Sequence, residues 1–197
     1  MGLKTKLGVL ASGRGSNFQA IQKEIEAGTL DAKIAVLISD RPRAPALEIA
    51  LAHGIDAHAL PYDKNNREAF ERAAGDLLEQ AECEWIVLAG FMRILTPYFI
   101  DRFAGRILNI HPSLLPDFKG LHPQRQALEA GVKTSGCTVH LVTQDLDAGP
   151  TITQSEVPVL ENDTEQSLAD RILVQEHLAY PEAIRILQRR RSEGGAQ

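Results

Sequence analysis

The sequence contains little cysteine, few aromatic residues and no long apolar run. Its 197 residues include two cysteines, Cys83 and Cys137, and 5% of them are aromatic. Two cysteines provide neither a disulfide framework nor a metal-binding motif, so we expect no metal and a reducing compartment. The longest apolar runs, such as residues 85–89, are far too short to cross a bilayer, and the first residues lack a secretory apolar segment. We therefore expect a cytoplasmic protein without a membrane partner.

An excess of positive charge is also absent. The formal net charge is −5, which does not favour binding to nucleic acid or to anionic membranes. A basic cluster at residues 189–191 is followed by small and polar residues, and we predict that residues 189–197 form a polar, flexible tail. Residues 1–188 have the length of one globular domain, for which about 100–200 residues are usual.

Short apolar runs alternate with segments of helical periodicity along the whole chain. We predict strands at residues 7–11, 34–39, 56–60, 84–89, 106–110, 134–142 and 151–157. We predict helices at residues 18–27, 45–53, 67–82, 97–103 and 123–130, and a last helix capped by residues 163–164 and reaching about residue 187. Strands separated by helices predict an α/β fold: a single domain with a mostly parallel, doubly wound, Rossmann-like sheet.

The turn after the first predicted strand reads Ser12-Gly13-Arg14-Gly15-Ser16-Asn17. Glycines allow a ligand to approach the backbone, and a helix N-terminus favours an anion. We therefore predict a phosphate-binding turn in which Ser16 and Asn17 cap the helix. The same pattern also suits an ordinary tight connection between a strand and a helix.

Two common nucleotide motifs do not fit this turn. A dinucleotide fingerprint requires a glycine where Phe18 stands, and a Walker A loop requires a Gly-Lys-Ser/Thr sequence that is missing. Asp40, at the end of the second predicted strand, could act as a ribose-binding acid. Without the third glycine, however, a nicotinamide enzyme is disfavoured.

The central stretch of the chain is Asn109-Ile110-His111-Pro112, where a buried strand ends. Asn109 and His111 are two residues apart, so an extended chain projects both side chains to one side of the sheet. An amide can hold a developing oxyanion, and an imidazole can transfer a proton. This pair is typical of acyl-type group transfer, although a strand end with a satisfied polar residue would look the same.

Asp147 is the most attractive third member, because it lies on a glycine-proline turn between two late strands and could stabilise an imidazolium. It could equally cap its own backbone in an Asx-turn. His140 lies inside a strand alternation, and we interpret it as structural. No Gly-x-Ser-x-Gly elbow or zinc motif is present, which disfavours covalent serine and metal hydrolysis. Residues 117–122, which contain Gly120 and lack periodicity, are predicted to form a mobile loop beside the site.

Several of these segments resemble the 10-formyltetrahydrofolate-dependent formyltransferases. The matching motifs are Asn109-Ile110-His111-Pro112-Ser113-Leu114-Leu115-Pro116, Gly120-Leu121-His122 and Leu146-Asp147-Ala148-Gly149-Pro150. Two further segments, Leu88-Ala89-Gly90-Phe91-Met92-Arg93-Ile94-Leu95 and the turn at residues 12–17, narrow the resemblance to the members that formylate 5-phosphoribosylglycinamide in purine biosynthesis. The resemblance extends from about residue 6 to residue 187.

The resemblance implies a reaction and a set of site residues. The formyl group of 10-formyltetrahydrofolate, a co-substrate, would pass directly to the amine of the ribonucleotide. Asn109, His111 and Asp147 match the catalytic triad of the family. Gly15, Ser16, Asn17 and Glu176 match its ribonucleotide-binding residues. The folate-binding residues that match are Arg67, Met92, Arg93, Ile94, Leu95, Asn109, Thr143, Gln144, Asp145, Leu146 and Asp147.

Three alternatives share part of this pattern. Methionyl-tRNA formyltransferases carry an extra C-terminal domain, and formyltetrahydrofolate deformylases carry an N-terminal regulatory domain; we expect neither here. A folate- or nucleotide-binding module without turnover is a third alternative, which an intact triad disfavours. The expected partners are therefore small-molecule substrates, with no nucleic acid and no membrane, and the protein is expected to be a monomer or a homodimer.

Overall fold

The computed structural model describes residues 4–194, which form seven strands and six helices. In chain order they are β1 (Thr5–Leu10), α1 (Ser16–Glu26), β2 (Ala32–Ser39), α2 (Pro45–Ala52), β3 (Asp56–Ala59), α3 (Arg67–Gln80), β4 (Trp85–Leu88), α4 (Pro97–Arg102), β5 (Ile107–His111), α5 (Pro123–Glu129), β6 (Thr134–Leu141), β7 (Thr151–Pro158) and α6 (Glu165–Gly194). None of the helices within residues 4–194 combines the length and apolarity needed to span a membrane.

The strands form one seven-stranded sheet in the order β3-β2-β1-β4-β5-β6-β7. β1 pairs in parallel with both β2 and β4, and β2 pairs in parallel with β3. β6 and β7, which follow one another with only a loop between them, pair antiparallel. The predicted α/β class with a mostly parallel, doubly wound sheet is confirmed.

The chain divides into two compact units, residues 1–108 and residues 109–197, with the boundary inside β5. In the first unit the central strand β1 carries Leu7, Val9 and Leu10, all with no solvent exposure. Strands covered on both faces read as continuous apolar runs, which is why β1 lacks the alternation of a half-exposed strand. The turns that follow β1, β2 and β4 therefore stand at the ends of buried strands.

The second unit is built on the antiparallel pair β6–β7 and on the long helix α6, which contacts both strands. The buried apolar side chains of α6 recur at the helical period, and they include Leu168, Ile172, Ala179, Tyr180, Ala183, Ile184 and Leu187. Thr164 caps this helix through a hydrogen bond from the backbone N–H of Ser167 to its Oγ1, at 3.1 Å. This interaction agrees with the predicted start of the last helix.

The end of α6 differs from the prediction, because the helix continues to Gly194 instead of ending near residue 187. Arginine and glutamine are good helix formers, and Glu182 forms ion pairs with both Arg185 and Arg189. Residues 189–193 of the predicted tail are therefore helical, with exposed side chains. Residues 195–197 lie outside the described residues, and the flexibility of this segment stays a prediction.

A buried carboxylate fixes the start of α4 in the first unit. Glu71, which is 2% exposed, accepts hydrogen bonds from both the backbone N–H and the hydroxyl of Thr96, the N-cap residue of α4. The Thr96 hydroxyl consequently makes no cap hydrogen bond within its own helix. Because Thr96 directly follows residues 92–95, this contact also fixes the end of that segment.

We expect Glu71→Ala to lower the free energy of unfolding by about 2–4 kcal/mol, since it leaves two buried donors without an acceptor. Urea denaturation measures this change. The matched control is Glu68→Ala, which removes a half-exposed carboxylate paired with Arg72 on the same helix and should cost about 0.5 kcal/mol or less. Equal losses in the two variants would show that the contact with Thr96 contributes nothing.

Candidate active site

Asn109 and His111 stand at the end of β5, and Pro112 follows immediately. Asn109 is half-buried and His111 is 6% exposed. Both side chains belong to one polar cluster with His140 and Asp147, which are 2% and 8% exposed. We call these four residues the polar cluster; all of them lie in the second unit.

The imidazole of His111 is held at both nitrogens. Nε2 lies 2.9 Å from the carbonyl oxygen of Phe118, and a carbonyl can only accept, so Nε2 carries a proton and donates it. Nδ1 lies 3.4 Å from Oδ2 of Asp147. The ring is thus oriented between a backbone carbonyl and a carboxylate, an arrangement that suits proton transfer and stabilisation of an imidazolium.

Asp147 adopts a left-handed backbone conformation, with φ 48°, on the turn between β6 and β7. Its Oδ2 accepts a hydrogen bond from the backbone N–H of Gly120 at 3.0 Å, and its Oδ1 lies 3.7 Å from Nε2 of His140. The carboxylate therefore binds a different segment of the chain rather than its own turn. This contact argues against the alternative that Asp147 only completes an Asx-turn.

The turn that carries Asp147 is closely packed. A Cβ atom added to Gly149 would lie 1.8 Å from the carbonyl oxygen of Leu141 and 3.1 Å from Cγ2 of Thr143. Only glycine allows this approach of the two backbone segments. Gly149 therefore holds the turn against the end of β6 and restricts where Asp147 can lie.

His140 is a functional candidate, although its place in a strand alternation predicts only a structural role. Its Nδ1 lies 3.0 Å from the carbonyl oxygen of Leu141, so Nδ1 carries the proton. Burial lowers the pKa of His140, which keeps the ring neutral and leaves Nε2 as an acceptor. Nε2 lies 3.3 Å from Nδ2 of Asn109 and accepts one of its two amide protons. His140 thereby orients the amide of Asn109.

The sequence carried one signal for this role, because His140 is the next-to-last residue of a strand with apolar residues alternating at Cys137, Val139 and Leu141. A polar ring at a buried strand position needs a partner. The partner itself lies 31 positions away along the chain and could not be named from the sequence.

In the first unit, the turn after β1 leads into α1 through Gly15, which has φ 65° and acts as the N-cap. The prediction that Ser16 and Asn17 cap the helix is wrong: both belong to α1, and no side chain among residues 4–194 makes a capping hydrogen bond there. With Gly15 as the N-cap, the helix starts one residue earlier than with a cap at Ser16 and two residues earlier than with a cap at Asn17. A Cβ at Gly15 would also lie 3.0 Å from Cβ of Ala46, a tight contact, so both the backbone conformation and the packing favour glycine.

The three predicted phosphate-binding residues line one cavity of about 200 Å³. The residues around it are Ser12, Gly13, Arg14, Gly15, Ser16, Asn17, Arg41, Ala89, Gly90 and Met92. Asp40 is not among them. Its carboxylate has no solvent exposure and accepts a hydrogen bond from Nε of Arg93 at 2.6 Å, so the structure gives no support to a ribose-binding role for Asp40.

The predicted folate-binding segment of the first unit, residues 92–95, follows β4 and presents large apolar side chains to solvent. Met92 and Ile94 are 66% and 65% exposed. The backbone is nevertheless fixed, since the N–H of Met92 donates to Oγ of Ser12 at 2.8 Å. Arg67 reaches the same segment, with Nη1 3.4 Å from the carbonyl oxygen of Ile94.

The remaining predicted site residues lie in the second unit. Thr143, Gln144, Asp145 and Leu146 form the turn that leads to Asp147, and Leu146 is 55% exposed. Glu176 lies on α6 and is 8% exposed. Burial raises the pKa of the Cys137 thiol to about 12, and the Glu176 charge contributes in the same direction, so this cysteine is not a nucleophile at neutral pH.

The chain is similar to several characterised proteins. A family model described as "Formyl transferase" matches residues 5–184. The phosphoribosylglycinamide formyltransferase of Escherichia coli K12 is 44% identical over 88% of this chain and 82% of its own length. A trifunctional purine biosynthetic protein adenosine-3 of Chironomus tentans is also 44% identical, over 93% of this chain, and the chain spans 14% of that protein's length.

Two solved structures extend the comparison. The glycinamide ribonucleotide transformylase 1 of Symbiobacterium toebii has a TM-score of 0.89 and 48% identity, covering 94% of this chain and 88% of its own. A formyltetrahydrofolate deformylase of Pseudomonas syringae has a TM-score of 0.82 and 29% identity, covering 92% of this chain and 62% of its own. The fold and the polar cluster define an α/β protein with an Asn–His–His–Asp cluster at the end of a buried strand. The chain belongs to the formyl transferase family.

The role of His140 in orienting Asn109 predicts different outcomes for two substitutions. His140→Phe removes the acceptor and should lower turnover about 10- to 100-fold, the equivalent of one lost buried hydrogen bond. His140→Gln can present an amide oxygen at the position of Nε2 and should retain most of the activity. Steady-state kinetics on variants with native circular dichroism decides the matter, and equal turnover in the two would exclude the orienting role.

Burial of neutral histidine also predicts a pH-dependent stability. The folded pKa of His140 is lower than its ordinary value of 6.5, and burial shifts His177 in the same direction. Below pH 6.5 the unfolded chain therefore binds more protons, and stability is lost as the pH falls. We expect a loss of up to about 1.4 kcal/mol per pH unit for each histidine, and a smaller loss in His140→Gln. Urea denaturation between pH 7.5 and 5 would show no such slope if the rings ionise freely when folded.

Proposed function

We propose that this protein transfers the formyl group of 10-formyltetrahydrofolate to the amine of 5-phosphoribosylglycinamide. The products would be formylglycinamide ribonucleotide and tetrahydrofolate, as in purine biosynthesis. The observation that carries the proposal is the polar cluster, in a chain 44% identical over 88% of its length to a protein named phosphoribosylglycinamide formyltransferase. Two free cysteines, both buried, agree with a reducing cytoplasm, and we propose a monomer or a homodimer.

The proposed mechanism is direct transfer. The amine nitrogen attacks the formyl carbon, and the carbonyl oxygen gains negative charge. The amide of Asn109 and the Nε2 proton of His111 stabilise that oxygen. The C–N10 bond of the folate then breaks, the amine loses a proton, and N10 receives one. Asp147 stabilises the charged ring of His111 and assists this proton movement, directly or through water.

The geometry of the polar cluster supports these roles. One amide proton of Asn109 is engaged by His140, which leaves the other for a substrate oxygen. Nε2 of His111 already donates to a carbonyl oxygen, that of Phe118, and a formyl oxygen would take over the same hydrogen bond when Phe118 moves aside. A neutral His140 beside Asn109 avoids a second positive charge that would compete for Asp147.

Within the first unit, we propose that Gly15, Ser16 and Asn17 bind the phosphate of the ribonucleotide. The support is the cavity of about 200 Å³ that they line and the N-terminus of α1, where the N-cap Gly15 has no side chain to occupy the backbone donors. Arg67 and residues 92–95 are proposed to bind folate, and their support is the fixed backbone of a segment whose apolar side chains are exposed.

Within the second unit, Glu176 is proposed to contact the ribonucleotide, and residues 143–147 are proposed to contact folate together with Asn109. The turn at 143–147 is restrained by Gly149, so its backbone groups are held ready for hydrogen bonding. Preorganised backbone groups lose little entropy when a ligand binds.

A hydrolase is the second candidate function, because the chain also resembles a formyltetrahydrofolate deformylase in structure. Both reactions could use Asn109, His111 and Asp147, so these residues do not distinguish them. The lower identity to the deformylase, 29% against 48% for a transformylase, favours transfer to an amine. The cavity beside the glycine turn, which is lined by two arginines and by no carboxylate, also favours an acceptor that carries a phosphate.

The acceptor separates the two functions experimentally. In a transferase, the bound amine supplies the nucleophile, and positioning accounts for much of the rate. We expect release of tetrahydrofolate from 10-formyltetrahydrofolate to depend strongly on added 5-phosphoribosylglycinamide, with the formyl group recovered on that amine. Rapid release of formate without the ribonucleotide, unchanged when it is added, would favour the hydrolase.

The proposed role of His111 is tested by His111→Asn. The variant keeps a donor of similar size but cannot become a cation or transfer a proton, and turnover should fall by about two orders of magnitude or more. Folding should be retained, as judged by circular dichroism and by folate binding. His58→Asn is a matched control, because His58 is half-buried on β3 and its ring contacts Asp56 outside the polar cluster. Near-normal turnover in folded His111→Asn would remove this residue from the mechanism.

A further inference from the structure

Two arginines of the first unit have no role in the site as proposed so far. Arg14 and Arg41 both line the cavity beside the turn at residues 13–17. Both are exposed, and neither guanidinium forms a hydrogen bond or an ion pair with any residue between 4 and 194. Other arginines of the chain are committed to carboxylates: Arg93 to Asp40, Arg102 to Asp76 and Glu79, and Arg171 to Asp163.

The backbone that carries Arg41 is fixed, although its side chain is free. The hydroxyl of Ser39, a residue with no solvent exposure, accepts from the N–H of Arg41 at 3.1 Å and donates to its carbonyl oxygen at 3.2 Å. The loop that follows is joined to the glycine turn by a hydrogen bond from the N–H of Ala46 to the carbonyl oxygen of Gly13, at 3.2 Å. The position of Arg41 beside the cavity is therefore built into the fold.

The second arginine belongs to the glycine turn itself. The carbonyl oxygen of Arg14 accepts a hydrogen bond from the side-chain amide of Gln19 at 3.1 Å, which restrains the backbone while the guanidinium remains free. The residues lining the cavity include two arginines and no aspartate or glutamate. Asp40, the neighbour of Arg41, is neutralised by Arg93 and does not cancel this charge.

We propose that Arg41 and Arg14 bind the phosphate of the substrate and make the cavity select a dianionic phosphate monoester over the dephosphorylated riboside. A guanidinium donates in a planar fork that matches two phosphate oxygens, and such charge-assisted bonds are among the strongest in proteins. The N-terminus of α1, whose N-cap Gly15 has no side chain, adds backbone donors to the same cavity. The inference rests on the proposed function for the identity of the substrate, and on the structure alone for the arginines.

Binding of ribose 5-phosphate to the full chain tests the arginines without requiring catalysis. We expect Arg41→Met and Arg14→Met each to weaken its binding about 10- to 100-fold in calorimetry, the effect of losing one hydrogen-bonded charge. Arg41→Lys keeps a cation and should recover part of that loss. Ribose without the phosphate should bind wild-type protein weakly and should be affected little by either substitution.

Arg43→Met is the matched control. Arg43 is exposed on the same loop and has no partner among residues 4–194, but it does not line the cavity. The Arg43→Met variant removes the same charge from the protein as Arg41→Met, so it measures the effect of net charge alone. We expect ribose 5-phosphate to bind to this variant within about twofold of its affinity for wild type. Circular dichroism and urea denaturation confirm that each variant is folded.

The outcomes separate this inference from the proposed function. Equal binding of ribose 5-phosphate to Arg41→Met, Arg14→Met and Arg43→Met, or no binding to wild-type protein, would overturn the role of the arginines. Formyl transfer to 5-phosphoribosylglycinamide by that same wild-type protein would leave the proposed function intact. If the arginine variants lose binding as expected but wild-type protein forms no formylated ribonucleotide, the phosphate site stands and the proposed function fails.

Discussion

The organisation of the polar cluster depends on one carboxylate, that of Asp147. Its two oxygens face His111 and His140, and one of them also accepts the backbone N–H of Gly120. A buried carboxylate is stable only where donors or positive charge compensate for the water it has lost. The carboxylate of Asp147 therefore fixes three parts of the second unit: the ring of His111, the loop at residues 117–122 and the turn after β6.

The two histidines of the cluster show how similar side chains acquire different properties. His140 donates a hydrogen bond from Nδ1 to a backbone carbonyl oxygen, and burial keeps its ring neutral. His111 donates a hydrogen bond from Nε2 to the carbonyl oxygen of Phe118, and its Nδ1 faces the Asp147 carboxylate. One ring can thus act as a fixed acceptor for Asn109, while the other lies between a backbone carbonyl and a carboxylate. The assignment follows from what each nitrogen faces and not from the residue type.

Much of the fold follows from local patterns in the sequence. Apolar runs closed by glycine or proline mark the strands, and the period-two spacing of Asn109 and His111 places both on one side of β5. The interactions that the sequence did not predict join residues far apart in the chain: Asn109 with His140, and Glu71 with Thr96. Which polar groups meet depends on strand order and on packing, and a single sequence does not contain that information. Two helix ends also differ from the prediction. α1 begins directly after Gly15, which acts as the N-cap without a side chain, and α6 continues beyond Leu187 to Gly194 because the residues there are good helix formers.

The hydrogen bond between Nε2 of His111 and the carbonyl of Phe118 has a consequence for how binding energy is distributed. A substrate oxygen that reaches this proton exchanges one satisfied hydrogen bond for another, so the net gain in the ground state is small. The reacting group then contributes little to affinity. The affinity for both substrates must therefore come from contacts with the parts that do not react. The imidazole stabilises the reacting group strongly only in the transition state, when negative charge develops on the oxygen.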